Sequence, residues 1–394
     1  MPAGALVIGG DYGGLGIVRS LGRRGIPVWV LAEDGQVSAG LSRYARRRLP
    51  WPAADGAAQL RFLHDLGQRH GLDGWVLFPT GDEPAALLAR HARSLAGRYR
   101  LTTPAWAAMR WAYDKRLTYE LAARVGVDHP WTACPRDAAT VASLDCPFPA
   151  VLKPTVKQRA NRFTRDRAWR VEDRAMLVER YAEAEALVGA EAIVVQELVP
   201  GGGDSQLSFA ALCAAGRPLA SIVARRARQY PVDFGHGSTR VETVDAPDIE
   251  LAARRLLAEL AYDGLVELEF KRDPRNGRAK LLDINPRTWA WQSLGRRAGV
   301  DFPWLAWRLA QGERLPERRG RPGASWVRGL TDIAAAWTEI RRGRLAVGDY
   351  LGSLRTTTEW AILAGDDPLP AVVDVPSLLW RAWSRREARA GAAG

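Results

Sequence analysis

One stretch constrains this chain more than any other: GLVELEFKRDPRNGRAKLLDINPRTW, from Gly264 to Trp289. Two apolar runs flank Pro-Arg-Asn-Gly, the pattern of an antiparallel hairpin. Register decides what such a hairpin can do, because a one-residue slip carries side chains to the opposite face. A two-residue turn at Asn276-Gly277 would set Glu269 against Ile284 and split the acids between faces. A three-residue loop, Arg275 to Gly277 with Gly277 left-handed, sets Glu269 against Asp283 and Glu267 against Asn285. Four oxygen-bearing side chains then share one face. Acids directly opposite each other repel. Either a hard divalent cation bridges Glu269, Asp283 and Asn285, or the acids pair with Lys271 and nearby arginines on an exposed face.

The rest of the chain falls into contrasting stretches. A strand at Ala5–Ile8, a Gly-rich turn, a helix near Leu15–Arg24 and a strand at Pro27–Leu31 make a β-α-β unit. Another strand, Trp75–Phe78, leads to Pro-Thr-Gly-Asp-Glu and a helix near Pro84, so residues 1–112 read as an open parallel α/β domain. Between 113 and 310 strands and helices alternate as in α+β folds: strands at Ala150–Lys153, Ile193–Leu198, Leu207–Cys213, Leu219–Ala224, Leu265–Lys271 and Ala279–Ile284, with helices at Glu172–Val188 and Ile249–Ala261. Residues 311–394 read as a mostly helical extension ending in a basic tail. The expected fold class is therefore α/β plus α+β.

The hairpin resembles the metal-binding hairpin of the ATP-grasp superfamily, whose pattern runs E-F-K, a turn, then E/D-x-N-P-R. Here it stands as Glu269-Phe270-Lys271 and Asp283-Ile284-Asn285-Pro286-Arg287. The resemblance is to predicted ATP-dependent carboxylate–amine ligases, D-aspartate ligases and halves of carbamoyl-phosphate synthetase. It implies a Rossmann-like N-terminal substrate domain and a two-lobed ATP-grasp domain with a lid lobe at about 150–198. It further implies Mg²⁺ (or Mn²⁺) on Glu269, Asp283 and Asn285, and ATP as cofactor. Lys115 and Lys153 match lysines that meet the ATP phosphates, and Arg167 stands where a lysine is common. Gln196-Glu197-Leu198 resembles the hinge strand that receives adenine, with Asp204 directed at the ribose. Arg287, with Lys153, would neutralise charge on the transferred phosphate, Lys271 joins the candidate catalytic residues, and Arg228 would hold a carboxylate or phosphate oxygen. The loop Thr155–Asn161 departs from the family, being basic where glycines are usual. The implied reaction activates a small-molecule or peptide carboxylate as an acyl phosphate and couples it to an amine.

Several features have two readings. The turn Gly9 to Gly16 suits either substrate contact through Gly10 and Asp11 or an NAD-dependent oxidoreductase, with Glu33 or Asp34 as the acid on the ribose. Asp82 and Glu83 either face a ligand or cap a helix. His236, between glycines, either moves a proton for substrate or is simply solvated. A non-catalytic nucleotide-binding protein, docked on a membrane surface by the Trp- and Arg-bearing tail from Val375 to Arg389, is the remaining alternative. The net charge of +12 is spread along the chain, with only five lysines, and no nucleic-acid motif accompanies it, so no nucleic-acid partner is expected. Three cysteines without metal or redox spacing, and no run of 18 apolar residues, fit a cytoplasmic protein without a transmembrane segment. A homodimer is compatible with all of this.

Overall fold

The computed structural model describes residues 3–53, 55–156, 161–233 and 237–375. Strands β1 (Ala5–Ile8), β2 (Val28–Ala32), β3 (Ala45–Pro50), β4 (Val76–Pro79) and β5 (Arg100–Leu101) form one parallel sheet in the order β3-β2-β1-β4-β5. β1, β2 and β4 are buried throughout, as strands covered on both faces must be. The strand order reverses at β1, so the loops leaving β1 and β4 open into one crevice, where doubly wound sheets place ligands. Gly9-Gly10-Asp11 and Thr80-Gly81-Asp82 leave those two strands. β3 (Ala-Arg-Arg-Arg-Leu-Pro) is an edge strand with mostly exposed side chains, and no apolar alternation announces it.

A smaller antiparallel sheet holds β6 (Thr132–Ala133), β7 (Ala150–Pro154), β8 (Trp169–Val171) and β9 (Ile193–Glu197), ordered β6-β9-β7-β8. Helix Arg174–Val188 packs Leu177, Tyr181 and Ala184 into the core beneath it. This lobe starts at β6, before the expected residue 150, because Trp131 O accepts from Glu197 N and draws the preceding segment in.

The large sheet comprises β10 (Gln206–Ala214), β11 (Arg217–Tyr230), β12 (Gly237–Val244), β13 (Gly264–Arg272), β14 (Ala279–Asn285), β15 (Arg318–Arg319), β16 (Ser325–Val327) and β17 (Glu359–Trp360). Its order is β14-β13-β10-β11-β12-β16-β17, with β15 beside β11. The segment beyond 310 therefore carries helices, Gly329–Arg341 and Val347–Arg355 among them, yet also extends the sheet. Trp326 from this part, together with Trp289 and Trp307 just before it, shares one apolar core with Val7 and Val30 of the first sheet and Ile17 of the helix between them. Asp366 and Asp367 complete the joint. Arg19 Nε donates to Asp367 Oδ2 at 2.9 Å, and Arg23 reaches Asp366 at 2.7 Å. Among the described residues no helix is long and apolar enough to cross a membrane.

Candidate active site

β13 and β14 pair Glu269 with Asp283 and Glu267 with Asn285, the register that gathers the acids. The route to it differs from expectation. Near the turn the pairs are Arg272–Ala279, Lys271–Lys280 and Phe270–Leu281, and Leu282 is an extra residue bulged out before Asp283. The loop runs from Asp273 to Arg278, with Gly277 at φ +70° and its N–H donating to Asp273 O at 2.7 Å. A β-bulge, rather than a three-residue loop, thus turns Asp283 to the groove face. Tyr119 Oη donates to Leu282 O at 2.8 Å, and Leu281 N to Asp128 O at 2.7 Å, so the bulge is pinned from outside the hairpin.

Around these residues the donors are almost all occupied by one another. Asn285 Nδ2 donates to Glu269 Oε1 at 2.9 Å and to Glu267 Oε2 at 3.3 Å, while Gln206 Nε2 meets Glu269 Oε2 at 2.6 Å. Trp291 Nε1 donates to Glu267 Oε1 at 3.0 Å. Burial, and after it the charge of Glu269, pushes Glu267 up to about 7. Lys115 Nζ lies 3.2 Å from Asp283 Oδ1, which places this lysine against an expected metal ligand. Among the described residues no three His, Cys, Asp or Glu side chains form a ready metal cage. Oxygen donors in an incomplete shell are what Mg²⁺ accepts, since it commonly takes one or two carboxylates and completes its octahedron with phosphate and water. Glu269, Asp283 and Asn285 fit that role by donor type and register.

These side chains line a groove of about 820 Å³ between the small and large sheets. Lys153 Nζ donates to Gln196 Oε1 at 2.7 Å within it. Burial, reinforced by Lys115, lowers Lys153 to about 8. Lys271 also lines the groove and ties down the glycine turn through Gly201 O at 2.8 Å; burial lowers its pKa too. Arg167 is in the wall, at φ +65°. Glu197 turns its carboxylate to Lys280 and Arg275, and Leu198 N donates to Pro149 O at 3.0 Å. Those groups are already engaged in this structure, rather than presented to a base edge. Asp204 is exposed, in the turn Gly203–Ser205, near enough to act on Lys271 electrostatically.

The remaining expectations divide. Asp82 is the first residue of its helix, whose cap is Gly81, and its carboxylate accepts from Arg287 Nε at 2.8 Å; capping is not its role. Although burial opposes it, Asp82 holds the Arg287 pKa above the ordinary guanidinium value. Glu83 is exposed and outside the groove wall. Gly10 N donates to Gln36 Oε1 at 2.7 Å. Asp11 caps the first helix, Tyr12–Gly22, accepting from Gly14 N at 3.1 Å. A carboxylate therefore stands at the helix end where a dinucleotide pyrophosphate would need to bind, which weighs against NAD. Arg228 is not in the groove wall; it makes a bidentate pair with Asp332, at 2.9 and 2.7 Å, behind the sheet. His236 and the whole tail after Val375 lie outside the described residues.

The whole arrangement can be set beside solved structures. The biotin carboxylase domain of Hydrogenobacter thermophilus 2-oxoglutarate carboxylase, in complex with MgADP, ADP and bicarbonate, superimposes with a TM-score of 0.64 at 17% identity, over 82% of this chain and 74% of that one. L-amino acid ligase from Bacillus licheniformis gives 0.60 at 17%, over 82% and 78%. N5-carboxyaminoimidazole synthetase from Staphylococcus aureus, complexed with ADP, gives 0.60 at 16%, over 81% and 80%. Residues 191–329, which include the hairpin, match the family model described as ATP-grasp in the biosynthetic pathway with Ter operon. This is an ATP-grasp fold. No curated protein matches the chain.

The ATP-grasp groove also contains residues that were not expected in it. Arg226 lines it, 3.5 Å from Glu269 Oε2, as do Tyr12 and Trp291. Along β11 the register with β12 shifts between Arg226 and Arg228 and again before Gln229. In an unbroken strand Arg226 and Arg228 would share a face. The bulge sends Arg228 to Asp332 and leaves Arg226 and Gln229 in the groove. Nothing in the run Arg-Arg-Ala-Arg-Gln marks that irregularity. Glu267 was legible from the register, as the fourth oxygen-bearing side chain.

Proposed function

We propose that the chain is an ATP- and Mg²⁺-dependent ligase that phosphorylates the carboxylate of a small molecule or peptide and couples the resulting acyl phosphate to an amine. The observation that carries this reading is the pairing of Glu269 with Asp283 across a bulge, facing Lys153, Lys115 and Arg287 around one groove. Mg²⁺ held by Glu269, Asp283 and Asn285, or Mn²⁺ in its place, would supply charge neutralisation at the phosphates. Lys153 and Lys271, both in the groove wall, would bind and orient the triphosphate. Arg287, steadied by Asp82, would neutralise charge on the γ-phosphoryl group as it passes from the β-bridging oxygen to the carboxylate oxygen. The walls from both sheets would limit access of water to the acyl phosphate.

Residues 1–112 would serve the non-nucleotide substrate, residues 113–310 the nucleotide, and residues 311–394 the support of the large sheet. A cytoplasmic protein, monomeric or homodimeric, accords with this chemistry.

The test is a hydroxylamine trap. With Mg·ATP and a panel of amino acids and peptides, acyl hydroxamate should form with one or more carboxylates and fail in Glu269→Gln/Asp283→Asn. Substrate-dependent ADP release that persists in the double variant would refute the assignment of the metal residues. A panel-wide absence of hydroxamate despite tight Mg·ADP binding would favour the non-catalytic reading.

A further inference from the structure

Beside the nucleotide groove is a second cavity of about 130 Å³, room for more than one water-sized group. Its wall includes Asp11 and Tyr12 from the turn after β1, Ser38 from the loop after β2, Tyr230 at the end of β11, Ser238 at the start of β12, and Arg328. Tyr12, Gly237 and Ser238 belong to both walls, so the cavity adjoins the groove. A Cβ built on Gly13 would lie 3.2 Å from Asp11 Oδ1 and 3.7 Å from Ala290 Cα, which puts this corner next to the Arg287–Trp291 segment.

The charge of the wall is what selects a ligand. Arg328 is the cation there, and its fork is filled: Nη1 and Nη2 donate to Asp374 at 2.6 and 2.8 Å, with both side chains buried. Its outer face lies over the Tyr12 ring, 5.1 Å from the centroid. That pair is neutral as a unit, so Asp11 leaves the wall with a net negative charge. Tyr12 adds no charge, since burial and then Asp11 push its hydroxyl up to about 12. The other polar side chains are hydroxyls, on Ser38, Tyr230, Ser238, Thr239 and Thr331, and the Thr239 hydroxyl is buried without a hydrogen-bond partner. A carboxylate or phosphate would meet Asp11 and find the guanidinium already bound. A primary ammonium group would find a carboxylate, hydroxyl acceptors and the Tyr230 ring.

We infer that this cavity receives the acceptor amine of the ligation, as a small primary ammonium compound held by Asp11 and the surrounding hydroxyls. The inference rests on the ligase reading and adds to it the class and seat of the second substrate. In the step it serves, the amine nitrogen forms a bond to the acyl carbon while the bond from that carbon to the phosphate oxygen breaks. Phosphate leaves with the electron pair. Of the two protons the ammonium gives up, one goes to phosphate and the other to water.

The test uses the full chain and saturation-transfer NMR with ethylammonium and ethanolamine as probes, propionate and ethanol as charge controls, and Mg·ADP as competitor. Both amines should bind, the controls should not, and saturating Mg·ADP should leave the amines bound. Asp11→Asn should weaken amine binding tenfold or more; asparagine caps a helix about as well as aspartate, so the first helix is retained. Ser238→Val, which narrows the cavity at its shared wall, should weaken amine binding as well. Preference for propionate, equal amine affinity in both variants and wild type, displacement by Mg·ADP, or no amine signal up to millimolar concentration would each overturn the assignment. Mg·ADP binding, read in the same samples, separates the two levels: its absence counts against the ligase reading itself, whereas its presence without amine binding counts against this cavity alone.

Discussion

Arg287, from the end of the hairpin, and Asp82, from the first helical turn after β4, are joined by a hydrogen bond of 2.8 Å across the joint between the large sheet and the N-terminal sheet. Asp82 thereby fixes the direction of a guanidinium whose carrier strand belongs to a different sheet. Arg287→Lys keeps the charge but loses the planar fork, and the rate of hydroxamate formation should fall about 10²–10³-fold, the usual cost of losing a transition-state donor. Asp82→Asn should lower the same rate by a smaller factor while Mg·ADP affinity, measured by calorimetry, stays within about twofold, because only the orientation of Arg287 is disturbed.

Lys153 gives a pH signature. Its pKa, lowered to about 8 from an ordinary 10.5 by burial and then by Lys115, means that the free protein loses this charge as pH rises through 8. Nucleotide phosphates favour the charged form, so binding above pH 8 must take up a proton. Affinity for Mg·ADP should therefore fall about tenfold between pH 7 and 9, and Lys153→Met should flatten that slope. The sign for folding is opposite. The unfolded chain binds the extra proton between 8 and 10.5, so this group's contribution to the stability of the nucleotide-free protein rises with pH across that window.

The bulge at Leu282 makes an unusual deletion prediction. Removing a residue from a strand normally turns everything beyond it to the other face. Leu282 is the unpaired residue, so its deletion lets Asp283 follow Leu281 directly and remain opposite Glu269. Mg²⁺-dependent ADP binding should survive this deletion within about tenfold, an order-of-magnitude allowance for the lost Tyr119 contact. Deleting Ile284 instead turns Asn285 away from the groove and should abolish the Mg²⁺ dependence. Calorimetry with and without Mg²⁺ on both variants checks the pair.

The ion pair of Arg228 with Asp332 is buried, with the Asp332 side chain fully enclosed. Asp332→Ala strands a buried guanidinium and should cost about 3–5 kcal/mol of stability, seen as an early unfolding transition in denaturant. Mg·ADP affinity at a temperature where the variant is folded should not change, since neither residue lines the groove.

These residues also mark how far the sequence could be read. The strands β1, β7, β9, β13 and β14 were legible to within a residue or so because apolar runs ended at clear turns. The pairing of Glu269 with Asp283 and of Glu267 with Asn285 was anticipated, but through a three-residue loop at Gly277 where the chain instead uses a longer loop and a bulge. What was not legible came from irregular backbone. Bulges at Leu282 and in Arg226–Gln229 change which side a residue faces, yet they depend on sheet twist and on partners such as Tyr119 that are distant in sequence. Strand β3 and the short strands beyond 310 escaped for the converse reason: each is brief, and its pairing partner supplies the stability that its own sequence does not advertise.

The tether of Arg19 to Asp367 spans 348 residues. At a synthesis rate of 5–20 residues per second, the first helix leaves the ribosome roughly 20–70 s before its partner does. During that interval a guanidinium destined for burial has no counter-charge, and the Trp-bearing segments that complete the shared core have not yet been made. The face of the opening β-α-β unit that joins this core is thus covered only once the last-made segments arrive.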